Sequence, residues 1–332
     1  MAAQRVRWRS GVALCLLALS CAVQAQTAAQ GAGTVYPTKP VRILVGFTPG
    51  GGPDIIARVV GQKLSEAWKQ PVTIENRPGA GGNIAAQTLA LAPADGYTLL
   101  SVTPAHAVSP AIQSKLPYDA VKDFAGITIT ATGPALLIVA PELGVKNVAE
   151  LITLAKAKPG QLNFSSAGNG SGSHFAAELF RIQSGINVVH VPFKGIPEAL
   201  ADTMAGRVHF FFSPYASAIN LVKEGRARAI AVTGDKRMPD QPDLPTVNES
   251  GLAGYKWIFW YGLLAPAKTP KPLLQQINAD VARALKEPDV RQRFLQLGIE
   301  PAPSTGEEFE KLIAEEIASF GRIARAANIK AE

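Results

Sequence analysis

The feature that most constrains the fold is a regular alternation between short β-branched segments and longer helical patterns. The segments "VRILVGF" (41 to 47), "PVTIENR" (71 to 77) and "YTLLSVT" (97 to 103) predict strands, and residues 53 to 68 and 82 to 92 between them predict helices. Strands that alternate with helices of about 10 to 15 residues indicate βαβ units and a mainly parallel sheet. The sequence therefore predicts an α/β fold.

The alternation restarts in the middle of the chain. The segments "LLIVAPEL" (136 to 143) and "LNFSSAG" (162 to 168) predict strands, and residues 147 to 157 and 173 to 184 predict helices, the first with Asn147 as its N-cap. A second α/β unit with its own core is the simplest interpretation of this repeat.

The last part of the chain is predicted to be helical. After "YGLLAPA" (261 to 267) the strands end, and Thr305 with the acids that follow it indicates the start of a helix. These helices need a sheet to cover, so we expect them to pack on the first α/β unit. The chain would then cross between the units twice, near 127 to 135 and near 257 to 265. Two crossings beside a cleft are typical of a hinged binding protein.

The predicted domains are a signal peptide (1 to 25), a disordered arm (26 to 35), a discontinuous first lobe (36 to 130 and 263 to 332) and a second lobe (131 to 262). The signal peptide has a basic start, an apolar stretch too short to span a bilayer and small residues before a cleavage site at Ala25. Lipid attachment at Cys21 is the alternative, and the order Ala18-Leu19 argues against it. Cleavage after Ala25 would remove both cysteines of the chain.

Charge and composition exclude one class of partner. The net charge of +7 falls to +4 without the three arginines of the signal peptide. No run of lysine and arginine interleaved with aromatic residues occurs, so nucleic acid is not expected as a partner. Mild basicity in an exported protein suits a small anionic ligand, and ordinary surface charge explains it equally well.

The stretch "TPGGG" (48 to 52) joins a predicted strand to a predicted helix. Glycines let successive N–H groups point to one side, and the first N–H groups of a helix add partial positive charge. Such a turn can bind an anion with its backbone, although a simple chain reversal explains a lone glycine run equally well. A P-loop is excluded because no lysine follows Gly52 until Lys63, and a dinucleotide motif because Ile55 stands where glycine is needed.

The stretch "AGNGSGS" (167 to 173) has the same architecture and places His174 in the first turn of a helix. Both Gly-rich turns would lie at the carboxyl ends of strands, where open α/β sheets bind ligands. A nucleophile elbow is excluded because Ser171 and Ser173 lack glycines two residues away on each side. The four histidines show no metal-ligand spacing, so no metal site is predicted. No cofactor and no catalytic residue are predicted either.

Two further residues are candidate contributors to a site. Thr103 follows a third strand and could bond an anion or cap the next helix, and Lys194 follows another strand as a counter-charge or a solvated residue. Most aromatic residues should build the core. Trp257 and Trp260, near the second crossing, are the two predicted to face the cleft.

These motifs together resemble the tripartite tricarboxylate transporter receptors of the Bug type, first described from Bordetella uptake genes. The resemblance covers nearly the whole mature chain, in segments that include "GFTPGGGPDIIARVVGQKL", "ENRPGAGGNIAA", "NFSSAGNGSGSHFAAELF" and "VPFKGIPEALADTMAGRV". It implies a type II periplasmic binding fold, with two α/β lobes, a hinge and a central ligand cleft. It also implies a receptor and not an enzyme, whereas an exported α/β hydrolase is the alternative, disfavoured by the lack of a catalytic constellation.

The resemblance implies that the two Gly-rich turns hold a ligand carboxylate through backbone N–H groups, hydroxyls and bridging waters. The implied ligand-binding residues are Phe47, Thr48, Pro49, Gly50, Gly51, Asp54, Thr103, His106, Ser166, Gly168, Gly170, Ser171, Ser173, His174 and Lys194.

The implied ligand is a small dicarboxylate, tricarboxylate or aromatic carboxylic acid, and the aromatic clusters slightly favour the last. Phe212 and Ser213 stand where many relatives carry an acid suited to an amino group, which argues against an amino-acid ligand. Ser109 stands where the third turn often has asparagine. The implied partners are the membrane subunits of a tripartite transporter or a sensor protein, and we expect a periplasmic monomer.

Overall fold

The predicted alternation of strands and helices is present in the computed structural model, which describes residues 36–113 and 115–329. The strands are β1 (Val41–Val45), β2 (Val72–Asn76), β3 (Thr98–Val102), β4 (Phe124–Val139), β5 (Asn163–Ser166), β6 (Val189–Pro192), β7 (Phe210–Pro214), β8 (Arg228–Val232), β9 (Ile258–Pro266) and β10 (Glu300–Pro301). The predicted signal peptide, the arm of residues 26 to 35 and Cys21 lie outside the described residues.

The helices are α1 (Gly52–Trp68), α2 (Asn83–Ala90), α3 (Ala105–Ile112), α4 (Val148–Ala157), α5 (Gly172–Ser184), α6 (Ile196–Met204), α7 (Tyr215–Lys223), α8 (Lys271–Ala284), α9 (Pro288–Gln296) and α10 (Gly306–Ala327). Short 3₁₀ helices cover Ala80–Gly82 and Pro141–Leu143. All these elements lie in the compact unit that begins at Lys39. Among the described residues, none of the helices is long and apolar enough to cross a membrane.

The strands form one continuous path in the order β2-β1-β3-β9-β4-β7-β5-β6. β1 runs parallel to β2 and β3, and β5 runs parallel to β6 and β7, as βαβ units require. These two parallel groups carry the two Gly-rich turns. The chain therefore has a mixed α/β fold, and the α/β class is as predicted.

Two long antiparallel strands join the parallel groups. β4 pairs with β9 from Phe124 opposite Pro266 to Pro134 opposite Ile258, and its remaining residues pair with β7 and β8. The sequence pattern predicted a strand only from residue 136, because the preceding "TITATGP" is polar and small. This segment is a strand because β9 supplies its partner, and that pairing is not visible in the local sequence.

The C-terminal helices pack on the sheet and on one another. α8 lies against α1 and β4, and α10 lies against α3 and β4. α10 also reaches α5, where the rings of Phe320 and Phe175 are 5.6 Å apart and Arg181 Nη2 donates to the carbonyl of Ala327 at 3.1 Å. This helix therefore contacts elements of both predicted α/β units.

Two helix caps predicted from the sequence are present. Asn147 Oδ1 accepts from the Glu150 amide at 2.9 Å. Thr305 Oγ1 accepts from the Glu308 amide while the Glu308 side chain accepts from the Thr305 amide, so α10 begins with a complete capping box.

Candidate functional site

The first Gly-rich turn follows β1 and is held in shape by Asp54. The buried carboxylate of Asp54 accepts from the Gly50 amide at 3.0 Å, from Asn76 Nδ2 at 2.9 Å and twice from Arg58 at 2.9 and 3.0 Å. Gly50 has φ +85°, a conformation that favours glycine. Asp54 therefore fixes the turn from within.

The same contacts set the charge state of Asp54. Burial alone would raise the pKa of its carboxyl, but the hydrogen bonds from Arg58, Gly50 and Asn76 outweigh burial and leave the pKa below its usual value. Asp54 is thus ionised at neutral pH with four acceptor contacts made by the protein itself.

Helix α1 begins directly after this turn with uncommitted N–H groups. Gly51 is its N-cap and has no side-chain cap, and Pro53 occupies the first turn. Within the described part of the chain the amides of Gly51 and Gly52 donate no hydrogen bond to another residue. The free donors of a helix N-terminus attract anions.

The second Gly-rich turn joins β5 to α5 and adds hydroxyl groups to such a terminus. Ser171 is the N-cap of α5, and its Oγ accepts from the His174 amide at 3.2 Å. Ser171 Oγ and Ser173 Oγ lie 3.1 Å apart, and Ser173 Oγ accepts from the Ala167 amide. Since the two hydroxyls share one hydrogen bond, one hydroxyl hydrogen of the pair remains available. The amides of Gly172 and Ser173 likewise donate to no other group in the described chain.

His174 lies behind this turn. Its Nδ1 accepts from the Gly170 amide at 3.2 Å, and its ring stacks on His190 with centroids 3.9 Å apart. Burial, followed by the charges of His190 and Arg181, lowers the pKa of His174 to about 3. The imidazole is therefore neutral and positions the turn.

The two turns meet at one cavity, called here the inter-turn cavity. Pro53 of α1 and Ser171, Gly172 and Ser173 of α5 line it, so the N-termini of two helices converge there. The remaining lining residues are Phe47, Thr103, Ala167, Ile196, Pro214, Phe259 and Tyr261. Two helix N-termini at one cavity place partial positive charge beside it, and such charge is suited to an anion.

A second cavity adjoins the first and shares Phe47 and Thr103 with it. Its walls come from the glycine-rich loop before α2, from β3 and from the start of α3, and we call it the side cavity. His106 lines it, with Nε2 bonded to the Ala120 carbonyl at 2.9 Å, and burial lowers its pKa to about 4. This histidine is also neutral at physiological pH.

The turns of the two parallel groups touch at Thr48 and Gly195, which are next in sequence to Phe47 and Ile196 of the cavity wall. Thr48 Oγ1 donates to Glu198 Oε2 at 3.3 Å, and a Cβ at Gly195 would overlap Thr48 Oγ1. A Cβ at Gly81 would lie 2.8 Å from the Asn169 carbonyl oxygen. Glycine at 195 and 81 therefore permits the approach of the two sides.

The predicted site residues divide into three groups by position. Those that line a cavity are Phe47, Thr103, His106, Ser171 and Ser173. Those that belong to the turns and their supports without lining a cavity are Thr48, Pro49, Gly50, Gly51, Asp54, Ser166, Gly168, Gly170 and His174. Lys194 is exposed and lines neither cavity.

The prediction that Trp257 and Trp260 face the cleft is wrong. Trp257 stacks on Phe320, and Trp260 Nε1 donates to Glu316 at 2.6 Å. Phe259 and Tyr261 of β9 line the inter-turn cavity instead. The alternation of side chains along a strand could have singled out this pair, but choosing the inward face requires the pairing of β9.

The glycine-rich loop at residues 79 to 82 is a second feature that sequence reasoning missed. Gly81 and Gly82 line the side cavity, and both have positive φ. The clustered glycines of "PGAGG" were the available signal. For metals, no group of three potential ligand side chains converges anywhere in residues 36–113 and 115–329.

Comparison with known families gives one match over most of the chain. The family model described as "Tripartite tricarboxylate transporter family receptor" matches residues 56–329. A protein encoded in the tcbD-tcbE intergenic region of a Pseudomonas strain is 34% identical over 313 residues, which cover 94% of this chain and 91% of that protein. BugT of Bordetella pertussis is 30% identical over 305 residues, or 91% and 94% of the two chains.

Two solved structures extend the similarity to the fold. Rpa4515 of R. palustris, solved with adipate, has a TM-score of 0.86 and 35% identity, with 89% of this chain and 99% of that chain covered. MatC of Rhodopseudomonas palustris, solved with malate, has a TM-score of 0.82 and 32% identity, with 87% and 99% covered.

Proposed function

Because this chain belongs to the tripartite tricarboxylate transporter receptor family, we propose that it captures a small carboxylate in the inter-turn cavity and delivers it to a membrane partner. The family and its structural neighbours are substrate-binding receptors rather than enzymes. Capture therefore makes and breaks no covalent bond.

The observation that carries this proposal is the convergence of α1 and α5 on one cavity. Each helix begins with N–H groups that donate to no other residue of the described chain, and Ser171 and Ser173 add a free hydroxyl hydrogen. A carboxylate has two oxygens that accept several hydrogen bonds, so it can bridge the two termini. Bridging waters can complete the contacts where a direct bond is too long.

The proposed mechanism is closure of two lobes on the ligand. We assign residues 36 to 130 and 263 to 332 to the first lobe and 131 to 262 to the second, with β4 and β9 as the connection. A ligand bridging both turns binds the closed form better than the open form, and this difference shifts the population towards closure. We assign the contact between Thr48 and Glu198 to the closed form.

Export and partnership complete the proposal. The N-terminal segment fits a secretory signal, and two relatives of known structure were solved with the dicarboxylates adipate and malate. We propose a periplasmic monomer that serves the large and small membrane subunits of a tripartite transporter or a sensor protein. Lipid attachment at Cys21 is not part of the proposal.

A thermal-shift screen tests the function directly. The mature protein is heated with monocarboxylates, dicarboxylates, tricarboxylates and aromatic carboxylates, and each acid is compared with its uncharged methyl ester. We expect at least one acid to raise the Tm in a concentration-dependent manner while its ester does not, because binding to the native state stabilises it. Equal shifts with acid and ester, or no shift with any acid, would contradict carboxylate capture.

A further inference from the structure

We infer that the ligand of this receptor carries one ionised carboxylate and an uncharged, largely apolar remainder, and that a second ionised carboxylate weakens binding. The inference rests on the proposed function and narrows its substrate class. It is drawn from the charges and hydrogen bonds of the two adjoining cavities. The inter-turn cavity takes the carboxylate, and the side cavity takes the remainder.

The first argument is the absence of basic side chains from the walls. Neither a lysine nor an arginine lines the inter-turn cavity or the side cavity, as far as the described residues show. The histidine of the side cavity, His106, is neutral because burial depresses its pKa. Arg58 is committed to Asp54 through two hydrogen bonds. One carboxylate is compensated by two helix N-termini, but a second would have no countercharge.

The second argument is that the hydroxyls of Tyr118 and Ser101 and the side-chain amide of Asn83, which line the side cavity, are already paired. The hydroxyl of Tyr118 donates to Asn83 Oδ1 at 2.7 Å, and Asn83 Nδ2 donates to Gln113 Oε1 at 3.1 Å. The hydroxyl of Ser101 donates to the Pro53 carbonyl, and the first amide of α3, that of Ala105, donates to Thr103 Oγ1. The start of α3 therefore offers the side cavity fewer free N–H donors than an unpaired helix N-terminus would.

The third argument is the apolar character of the remaining walls. Phe47, Ala86, Leu100 and Val102 face the side cavity, and Phe259, Ile196 and Pro214 face the inter-turn cavity. An ionised group buried against such walls loses its hydration without compensation, whereas an alkyl chain or a ring gains from leaving water.

Calorimetry with three ligands of matched length tests the inference. Hexanoate, monomethyl adipate and adipate share a six-carbon acid chain, and they differ in whether the far end is a methyl group, an ester or a carboxylate. At pH 7.5 we expect at least one of the two monoanions to bind at least tenfold more tightly than adipate. Adipate binding more tightly than both monoanions would overturn the inference while leaving carboxylate capture intact.

Two controls separate the possible failures. Benzoate and terephthalate repeat the comparison on a ring, in case the cavity excludes a flexible chain. We expect benzoate to bind at least tenfold more tightly than terephthalate, and preference for the diacid in either series would overturn the inference. Binding of none of these acids would overturn the inference and the proposed function together.

The variant Lys194→Gln tests an exposed cation that is next in sequence to Gly195. Since Lys194 lines neither cavity, we expect the ratio of monoanion to dianion affinity to stay within threefold of the wild-type ratio. If adipate affinity falls more than tenfold in Lys194→Gln while hexanoate affinity is unchanged, Lys194 pairs with a second carboxylate and the inference is wrong.

Discussion

At the scale of single residues, the inter-turn cavity depends on a glycine that leaves room for an aromatic side chain. A Cβ at Gly52 would overlap the Tyr261 hydroxyl and lie 2.9 Å from its Cζ. A Cβ at neighbouring Gly51 would meet only ordinary contacts, at 3.6 Å from the Thr48 carbonyl oxygen and 3.7 Å from Ile196. An alanine variant at Gly52 therefore disturbs the cavity wall, and an alanine variant at Gly51 is its matched control.

We predict that Gly52→Ala lowers ligand affinity at least tenfold, because Tyr261 must move in the cavity wall. Gly51→Ala should change affinity less than threefold. Calorimetry with whichever carboxylate gives the largest thermal shift measures both, and circular dichroism confirms folding. Equal affinities for the two variants would show that the Tyr261 wall does not contribute to the site.

Asp54 gives a second prediction at this scale. Asp54→Asn replaces a charged acceptor of four hydrogen bonds and leaves buried donors poorly paired, so we expect unfolding free energy to fall by about 1 to 3 kcal/mol. Ligand affinity should fall as well, because the first turn loosens. Urea unfolding measures the stability, with Glu66→Gln on the exposed face of α1 as the control. A stability loss no larger than that of the control would contradict the supporting role of Asp54.

The sequence predicted which turns matter better than it predicted which side chains line the cavities. Ser171 and Ser173 were predicted from a strand-to-helix turn, whose position relative to the sheet follows from local order, and Phe47 was implied by the family resemblance. Phe259 and Tyr261 were missed because their exposure to the cavity is set by the register of β9 against β3 and β4. That register depends on residues more than a hundred positions away.

At the scale of elements, α10 is attached to β9 by a titratable contact. Glu316 accepts from Trp260 Nε1 at 2.6 Å, and burial raises the pKa of its carboxyl to about 7 although this hydrogen bond acts in the opposite direction. The folded chain therefore holds this proton to a higher pH than the unfolded chain does. Stability from this group is present below pH 4.5 and is lost as pH rises towards 7.

We predict that Glu316→Gln gains stability relative to wild type as pH rises from 5 to 8. Urea unfolding at several pH values in this range gives the difference curve. Glu315→Gln, an exposed neighbour on the same helix, should show no such trend. A flat difference curve for Glu316→Gln would mean that the carboxyl titrates normally.

The histidines have the opposite effect on the pH dependence of folding stability. Burial lowers the pKa of His106 and His190 to about 4 and, with nearby charges, that of His174 to about 3. The unfolded chain therefore binds protons first as pH falls below about 6.5, and stability should decline from there towards pH 4. His190→Gln should flatten this decline in urea unfolding. An unchanged slope would contradict burial of neutral His190.

The elements themselves were largely predictable. The caps at Asn147 and Thr305 and the strand-helix alternation follow from local chemistry, and the structure confirms both. The early part of β4 was not predictable from its own residues, because "TITATGP" is a strand through its pairing with β9.

At the scale of the whole molecule, ligand capture depends on a contact between the two parallel groups of strands. The turn after β1 meets the turn before α6 at Thr48 and Gly195. Gly195 has an extended backbone, so alanine is strained there by its contacts and not by its φ: its Cβ would overlap Thr48 Oγ1 and would lie 2.9 Å from Glu198 Oε2. We predict that Gly195→Ala lowers ligand affinity at least tenfold by holding the two sides apart. Adding Thr48→Ala removes the overlapping hydroxyl and should restore part of the loss.

A double-mutant cycle by calorimetry tests this coupling. It compares wild type, each single variant and the double variant with the same carboxylate. A double variant that binds as weakly as the sum of the single losses predicts would contradict closure at this contact.

In the proposed function, the N-termini of α1 and α5 hold one carboxylate between them. The most direct measurement is amide NMR of protein labelled with ¹⁵N-glycine, titrated with a bound carboxylate and with its methyl ester. We predict large chemical-shift changes of the Gly52 and Gly172 amides with the acid only. The amides of Gly144 and Gly225, whose Cβ positions face open space, should stay unchanged. Saturable binding of the acid with both the Gly52 and the Gly172 signals unmoved would contradict this binding mode.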